Sequence, residues 1–546
     1  MPTIDRLVLL GLDGATWTVL GPMIDRGVMP NLAALRARSA HGTLRSCVPP
    51  VTSAAWTTMQ TGCSPMRHGV FDHRYYDPQA GRMKVNHSGR VRVPTLWSML
   101  SDAGRSVAVI NLPGTHPPPR VRGVVVSGMD APNLESALSG SASFAARLRT
   151  EVPDYNLKFY WKRPPEGLEE LREAAAGTTA AFAHRAAAGM SADREVPDWS
   201  VLMVQFQDLD PFQHRCWPLL NVDEDGIDRP DWNEAACDVL RGLDRAIGVL
   251  CELAERRGAA VMAVSDHGFG PCHGRVQINR VLIDAGLAFL PRGVMGKVAR
   301  RLQVPFDRLR LWREKRDRPK SRSSSFEKSV AHEYPFDWSR TLAFAPHQDT
   351  AAMIYLNSTE RHGGPTAPIQ TPRQRDIARL AITLALSEAK HPETGKRLFP
   401  RIIDVAKEHD LDPAREGHPD IIALPDDPYW VRTRLSSSRA WVEADPTLPG
   451  THRPEGIVTL DAPGVDARGG MSVQLQDVTP TVLSLMGLPV PDHMEGRPFA
   501  GEARGATRRL DRGAAPIAGP HQPDFDYTPE EQAIIEQRLA DLGYLE

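Results

Sequence analysis

Ala259-Ala260-Val261-Met262-Ala263-Val264-Ser265-Asp266-His267-Gly268 is the stretch whose reading decides the fold. Its first six residues are apolar and β-prone, and a short run of this kind closed by turn residues reads as a buried strand. The strand runs out into an aspartate, a histidine and a glycine, which puts a carboxylate and an imidazole at the carboxyl edge of a sheet. In open α/β sheets that edge is where ligands bind. Taken alone, Asp266-His267 reads equally well as a cap or a surface turn, so the rest of the chain has to decide.

The pattern recurs. Leu7-Val8-Leu9-Leu10-Gly11-Leu12 ends on Asp13-Gly14, and Val201-Leu202-Met203-Val204-Gln205-Phe206 leads into Asp208-Leu209-Asp210-Pro211-Phe212-Gln213-His214. Asp210 and His214 are spaced i, i+4, so one helical turn sets both on the same face. A further histidine lies in Thr451-His452-Arg453-Pro454, read as a loop before the strand-like Ile457-Val458-Thr459-Leu460. Mixed carboxylate and imidazole donors suit zinc and similar divalent ions, whereas all-oxygen sets suit magnesium or calcium. The donors outnumber the needs of one ion, which favours a pair.

Strand patterns alternate with helix patterns along the chain, and that alternation predicts an α/β fold with a doubly wound, mostly parallel sheet flanked by helices. Helices are expected from Pro30, over Trp97 to Ala103, over about Glu166 to Met190 with a break at Gly177, over Trp232 to Arg257 and over Arg373 to Lys390. Strands are expected at Val107–Ile110, Val124–Val126 and Asp420–Leu424. The main domain is expected to span 1–500, with cap insertions near 130–195 and 290–335. A tail over 501–546 ends in a helix at Thr528-Pro529-Glu530-Glu531, where Thr528 caps, Pro529 fits the first helical position and Glu531 completes a capping box. Within the second insertion, 297–328 is strongly cationic and reads as a solvated loop or as a clamp for an anionic substrate or surface.

Composition points to a large enzyme. A chain of 546 residues exceeds what one core usually supports. A net charge of -2 argues against a surface built for nucleic acid or anionic lipid. The six cysteines lack CxxC spacing, which implies reduced thiols and no thiolate zinc site. No apolar run approaches the roughly 20 residues of a membrane span, and no secretory leader pattern is visible. A cytoplasmic location is therefore the expectation.

A nucleophile is sought near the metals. The segment Pro49-Pro50-Val51-Thr52-Ser53-Ala54-Ala55-Trp56 places Thr52 or Ser53 at a helix start, beside backbone N–H groups that attract an anion. A hydroxyl is a poor nucleophile at neutral pH unless a base or a metal activates it. By itself Thr-Ser after prolines is a common helix cap.

Together these motifs resemble the alkaline phosphatase superfamily, and within it the type I phosphodiesterase/nucleotide pyrophosphatase family. The resemblance covers most of residues 5 to 500. It rests on Gly11-Leu12-Asp13-Gly14, on Thr52 with Thr61-Gly62 nine residues beyond it, on Pro65 to His68-Gly69 and on Asp210 with His214. Ser265-Asp266-His267-Gly268, His452 and the closing Gln476-Asp477-Val478-Thr479-Pro480-Thr481 complete it. It implies an alkaline-phosphatase-like fold and two divalent metal ions, zinc being expected. Asp13, Asp266, His267 and the Thr52 oxygen would hold the first ion, and Asp210, His214 and His452 the second. Thr52 would attack phosphorus and form a phospho-threonine intermediate that water hydrolyses.

Where the family's nucleotide pyrophosphatases carry an asparagine that binds a phosphoryl oxygen, this chain has His73, so His73 is the expected substrate-binding residue. Cys63-Ser64-Pro65-Met66-Arg67 fits the Cys-x-Pro-x-Arg pattern of sulfatases, but Cys63 follows Thr61-Gly62, whereas a sulfatase nucleophile precedes them. The expected activity is phosphodiester or pyrophosphate hydrolysis on a small-molecule or lipid-linked phosphate ester, with no stable nucleic acid complex and with a homo-oligomer open. A phosphomonoesterase or phosphomutase of the same superfamily is the alternative enzyme, and a non-catalytic, metal-stabilised binding protein the alternative from another class.

Overall fold

Leu7–Leu12 is a central strand buried on both faces. Val8, Leu10 and Leu12 enter one hydrophobic core, and Leu7 and Leu9 enter the other, as the two-residue period of a strand demands. Each such fully buried side chain contributes about 1.5–3 kcal/mol. The computed structural model describes residues 3–77, 82–291, 336–362, 367–425, 429–435, 439–500 and 525–545. The basic stretch 297–328 and residues 501–524 of the expected tail lie outside the described residues.

Two compact units are formed. The first comprises Met1–His73, Val85–Cys272 and Pro446–Glu546, and the second Arg74–Lys84 and His273–Asp445. Among the described residues, nine strands build the sheet of the first unit, in the order Met471–Gln474, Ala40–Arg45, Glu455–Asp461, Ala260–Val264, Leu7–Leu12, Trp199–Phe206, Ser106–Leu112, Gly123–Ser127 and Leu138–Ser139. The five strands from Ala260–Val264 to Gly123–Ser127 are parallel. Glu455–Asp461 runs antiparallel to both of its neighbours, so the sheet is mixed around a parallel centre. The expected α/β sandwich of helices around a mostly parallel sheet is therefore present. Residues 130–195, expected as an insertion, stand in this unit.

Helices Leu168–Glu195 and Pro230–Arg257 pack on the first core with Pro30–Arg38, while Thr52–Thr61 and Val478–Leu485 pack on the second. The break expected at Gly177 is absent: the helix runs unbroken through it. A β-carbon at this position would meet the Tyr160 ring at 2.4 Å, so the missing side chain makes room for an aromatic neighbour rather than ending the helix. Pro529–Leu542 is helical, with the reciprocal Thr528–Glu531 capping box in place. A second correction concerns Thr451-His452-Arg453. These residues are a strand, Gly450–Arg453, paired antiparallel with Gly268–Pro271, and Phe269 lies opposite His452.

In the second unit, Ala343–Phe344, Ala352–Leu356, Ile421–Leu424 and Arg401–Asp404 form an antiparallel sheet in that order. Helix Pro372–Glu388 packs on it through Ala378, Ile382 and Leu386. All six cysteines are buried and none is in a disulfide. Among the described residues no helix is long and apolar enough to cross a membrane.

Candidate metal centre

Three adjacent parallel strands end together, and each delivers acids to the same edge. Leu7–Leu12 is followed by Asp13, Ala260–Val264 by Asp266 and His267, and Trp199–Phe206 by the helix Leu209–Leu220 that carries Asp210 and His214. Strand Gly450–Arg453 brings His452 alongside. Helix Thr52–Thr61 begins with Thr52 itself, its N-cap is Val51, and Thr52 makes no capping hydrogen bond. The hydroxyl is thus not spent on the helix end. It points to His267 Nε2 at 3.4 Å.

The histidines share one arrangement. His267 Nδ1 meets the Gly268 carbonyl at 3.0 Å, His214 Nδ1 the Gly450 carbonyl at 2.9 Å, and His452 Nδ1 the Pro50 carbonyl at 3.0 Å. A carbonyl only accepts, so each Nδ1 donates and each Nε2 is left with a lone pair turned inward. His214 Nε2 and His452 Nε2 then face one another 3.0 Å apart, two acceptors with no proton between them. Such a pair calls for a cation, and fixing the outer ring nitrogen is how proteins orient imidazoles toward metals.

Carboxylates complete two groups of converging donors, Asp13 with Asp266 and His267, and Asp210 with His267 and His452. Asp210 Oδ1 lies 3.1 Å from His452 Nε2 and 3.5 Å from His214 Nε2. His267 Nε2 stands 3.3 Å from Asp266 Oδ2 and 3.6 Å from Asp13 Oδ1. Those two carboxylate oxygens are buried and accept no hydrogen bond. Burial, with the neighbouring carboxylate charges of Asp266 and Asp210, pushes the Asp13 carboxyl well above its usual range, and burial does the same to Asp266. Burial pulls the His214 and His452 imidazoles down to about 3 and His267 well below its usual value. Neutral imidazoles facing under-satisfied acids are a donor set that divalent ions fit.

All the expected ligands, Asp13, Thr52, Asp210, His214, Asp266, His267 and His452, are brought into this one buried cluster. His73 is nearby, with its Nδ1 2.6 Å from Ser53 Oγ. Three residues of the site escaped the sequence reading. Trp56 Nε1 and Gln205 Nε2 each donate to Asp13 Oδ2 at 2.8 Å, and Tyr544 reaches Asp210 from the far end of the chain. Gln205 could have been noticed as an amide inside an otherwise apolar strand. Gly11 admits Trp56, because a β-carbon there would meet its Cη2 at 2.8 Å and Met203 Cε at 2.7 Å. Cys63 sits beyond the far end of the Thr52 helix, about 15 Å along its axis, with its thiol on the His493 carbonyl and pushed up to about 12 by burial.

Residues 7–452 match the family model of the type I phosphodiesterase / nucleotide pyrophosphatase group. Among solved structures, the phosphonoacetate hydrolase of Sinorhizobium meliloti 1021 in complex with phosphonoformate is 18% identical, with a TM-score of 0.50, covering 89% of this chain and 96% of that one. Human ectonucleotide pyrophosphatase / phosphodiesterase 5 is 13% identical, with a TM-score of 0.48, covering 91% and 97%. No curated protein matches the chain significantly in sequence.

Proposed function

The chain belongs to the type I phosphodiesterase / nucleotide pyrophosphatase family, and we propose that it is a two-zinc phosphodiesterase or pyrophosphatase with Thr52 as its nucleophile. The observation that supports this reading best is the place of Thr52 Oγ1, buried, 3.4 Å from His267 Nε2 and spared from capping. Asp13, Asp266 and His267 would hold one ion, with Thr52 as a further ligand, and Asp210, His214 and His452 the other. When bound, such a pair stabilises the charge on the attacking and leaving oxygens.

The protein's own residues supply orientation. Main-chain carbonyls fix the three imidazoles, Trp56 and Gln205 fix Asp13, and the start of a fully buried helix fixes Thr52. Thr52 Oγ attacks phosphorus opposite the leaving oxygen: the Oγ–P bond forms, the ester P–O bond breaks, and the threonine proton ends on the departing alcohol. Water then cleaves the phospho-threonine, which restores the hydroxyl and releases a phosphomonoester. His73, held by Ser53, is suited to meet a non-bridging phosphoryl oxygen. The substrate would be a small-molecule or lipid-linked phosphate ester.

The test is metal analysis of the purified protein joined to turnover of paired aryl phosphate mono- and diesters. Diester cleavage that disappears in Thr52→Ala with both metals retained is expected. Cleavage of monoesters alone would overturn the diesterase assignment, and full turnover by Thr52→Ala would overturn the nucleophile.

A further inference from the structure

The segment after helix Pro529–Leu542 reaches the metal centre. Gly543 caps that helix in the left-handed region at φ 93°, and the Gly543 and Tyr544 N–H groups close back on the Ala540 and Leu539 carbonyls, respectively. This turn aims the Tyr544 ring inward, where it packs on His73 with centroids 4.6 Å apart and meets the edges of His214 and His452. Its hydroxyl lies 2.9 Å from Asp210 Oδ2, 3.4 Å from Thr52 Oγ1 and 3.5 Å from His452 Nε2. The helix behind it is held down by buried Ile535, Leu539 and Leu542. Arg538 also donates to the carbonyls of Met129 and Ala131, and Lys162 pairs with Asp541 at 2.7 Å.

The two oxygens of Asp210 have separate neighbours. Oδ1 faces the imidazole Nε2 atoms of His452, His214 and His267 at 3.1, 3.5 and 4.0 Å, whereas Oδ2 faces the Tyr544 hydroxyl. We propose that Tyr544 is a further residue of the reaction centre. It holds Asp210 with Oδ1 turned to the metal side, and it serves as a hydrogen-bond donor to the phosphoryl group carried on Thr52. The phenol has one proton. In this structure Asp210 Oδ2 takes it; rotation about the Cζ–O bond turns it toward an oxygen of a group attached to Thr52 Oγ1. The inference rests on the assignment of Thr52 as nucleophile.

Tyr544→Phe in the full chain tests it, since the ring and its packing remain while the hydroxyl is lost. Two readouts are taken: kcat and KM on a phosphate diester, and the affinity for zinc alone, measured against a competing chelator. The expected result is an unchanged unfolding midpoint, kcat lower by about tenfold or more with KM little altered, and zinc binding weaker by about tenfold, the usual effect of losing a hydrogen bond to a ligand. Tyr544→Met, which also lacks the hydroxyl, should reproduce both losses. Unchanged kcat and zinc affinity in a folded variant would overturn the proposal, leaving the ring as packing. Faster turnover would overturn it too, marking the hydroxyl as an obstruction. Should the wild type hydrolyse no phosphate ester, the functional reading falls, while the zinc comparison still decides whether the hydroxyl governs Asp210.

Discussion

The indole Nε1 of Trp56 stands 2.8 Å from Asp13 Oδ2, so the helix that presents the proposed nucleophile also fixes a carboxylate of the metal centre. Trp56→Phe should uncouple the two. Asp13 keeps Gln205 as its remaining donor, and zinc affinity is expected to fall by about tenfold. The lost hydrogen bond should cost about 0.5–1.5 kcal/mol of stability. Chelator competition and urea unfolding measure both, and undiminished zinc binding would sink the idea.

Asp130 gives a pH signature away from the metal ligands. Burial pushes its carboxyl from 3.8 up to about 6, although Oδ2 accepts the His116 N–H at 2.7 Å. A carboxyl raised in the folded state binds more protons there than in the unfolded chain, so its contribution is full below about pH 4 and is lost as pH rises through about 6. Asp130→Asn keeps the acceptor without the charge. Its stability relative to wild type should grow between about pH 4 and pH 6.5 and then level off, as read from denaturant midpoints. A flat difference across that window would contradict the assignment.

Cys63 should be dispensable for turnover. Its thiol is buried, raised to about 12 and separated from Thr52 by the length of a helix. Cys63→Ala is expected to retain diester hydrolysis within about twofold, and peptide mass spectrometry of the wild type should find an unmodified cysteine. Formylglycine at this position would reopen the sulfatase reading.

Gly543→Ala should act at a distance along the chain. At φ 93° an alanine is strained, and its β-carbon would fall 2.8 Å from Arg215 Nη2. The expected cost is about 1–2 kcal/mol, together with reduced turnover, because the turn that aims Tyr544 is disturbed. Full activity in a destabilised variant would separate the cap from the chemistry.

The strands were legible in the sequence because both faces of each are buried and their apolar runs are unbroken, as in Leu7–Leu12 and Ala260–Val264. The convergence of Asp13, Asp210, Asp266 and His267 followed from parallel strands ending at one edge. What escaped depended on partners far along the chain. Gly177 reads as a helix breaker until Tyr160 is seen lying on it. His452 reads as a loop residue because the strand that pairs with it begins at Gly268. Tyr544 has no local signal at all: a tyrosine after a helix cap is ordinary until Asp210, more than three hundred residues earlier, is found 2.9 Å away.

The carbonyls that hold the three imidazoles carry an evolutionary corollary. A main-chain acceptor cannot be deleted by exchanging a side chain, so ring orientation is shielded from most point mutations around the site. Two of those carbonyls belong to Gly268 and Gly450, where a β-carbon would collide with the carbonyl oxygens of Glu455 and Gln213. The vulnerability of ring orientation is therefore concentrated at these two glycines.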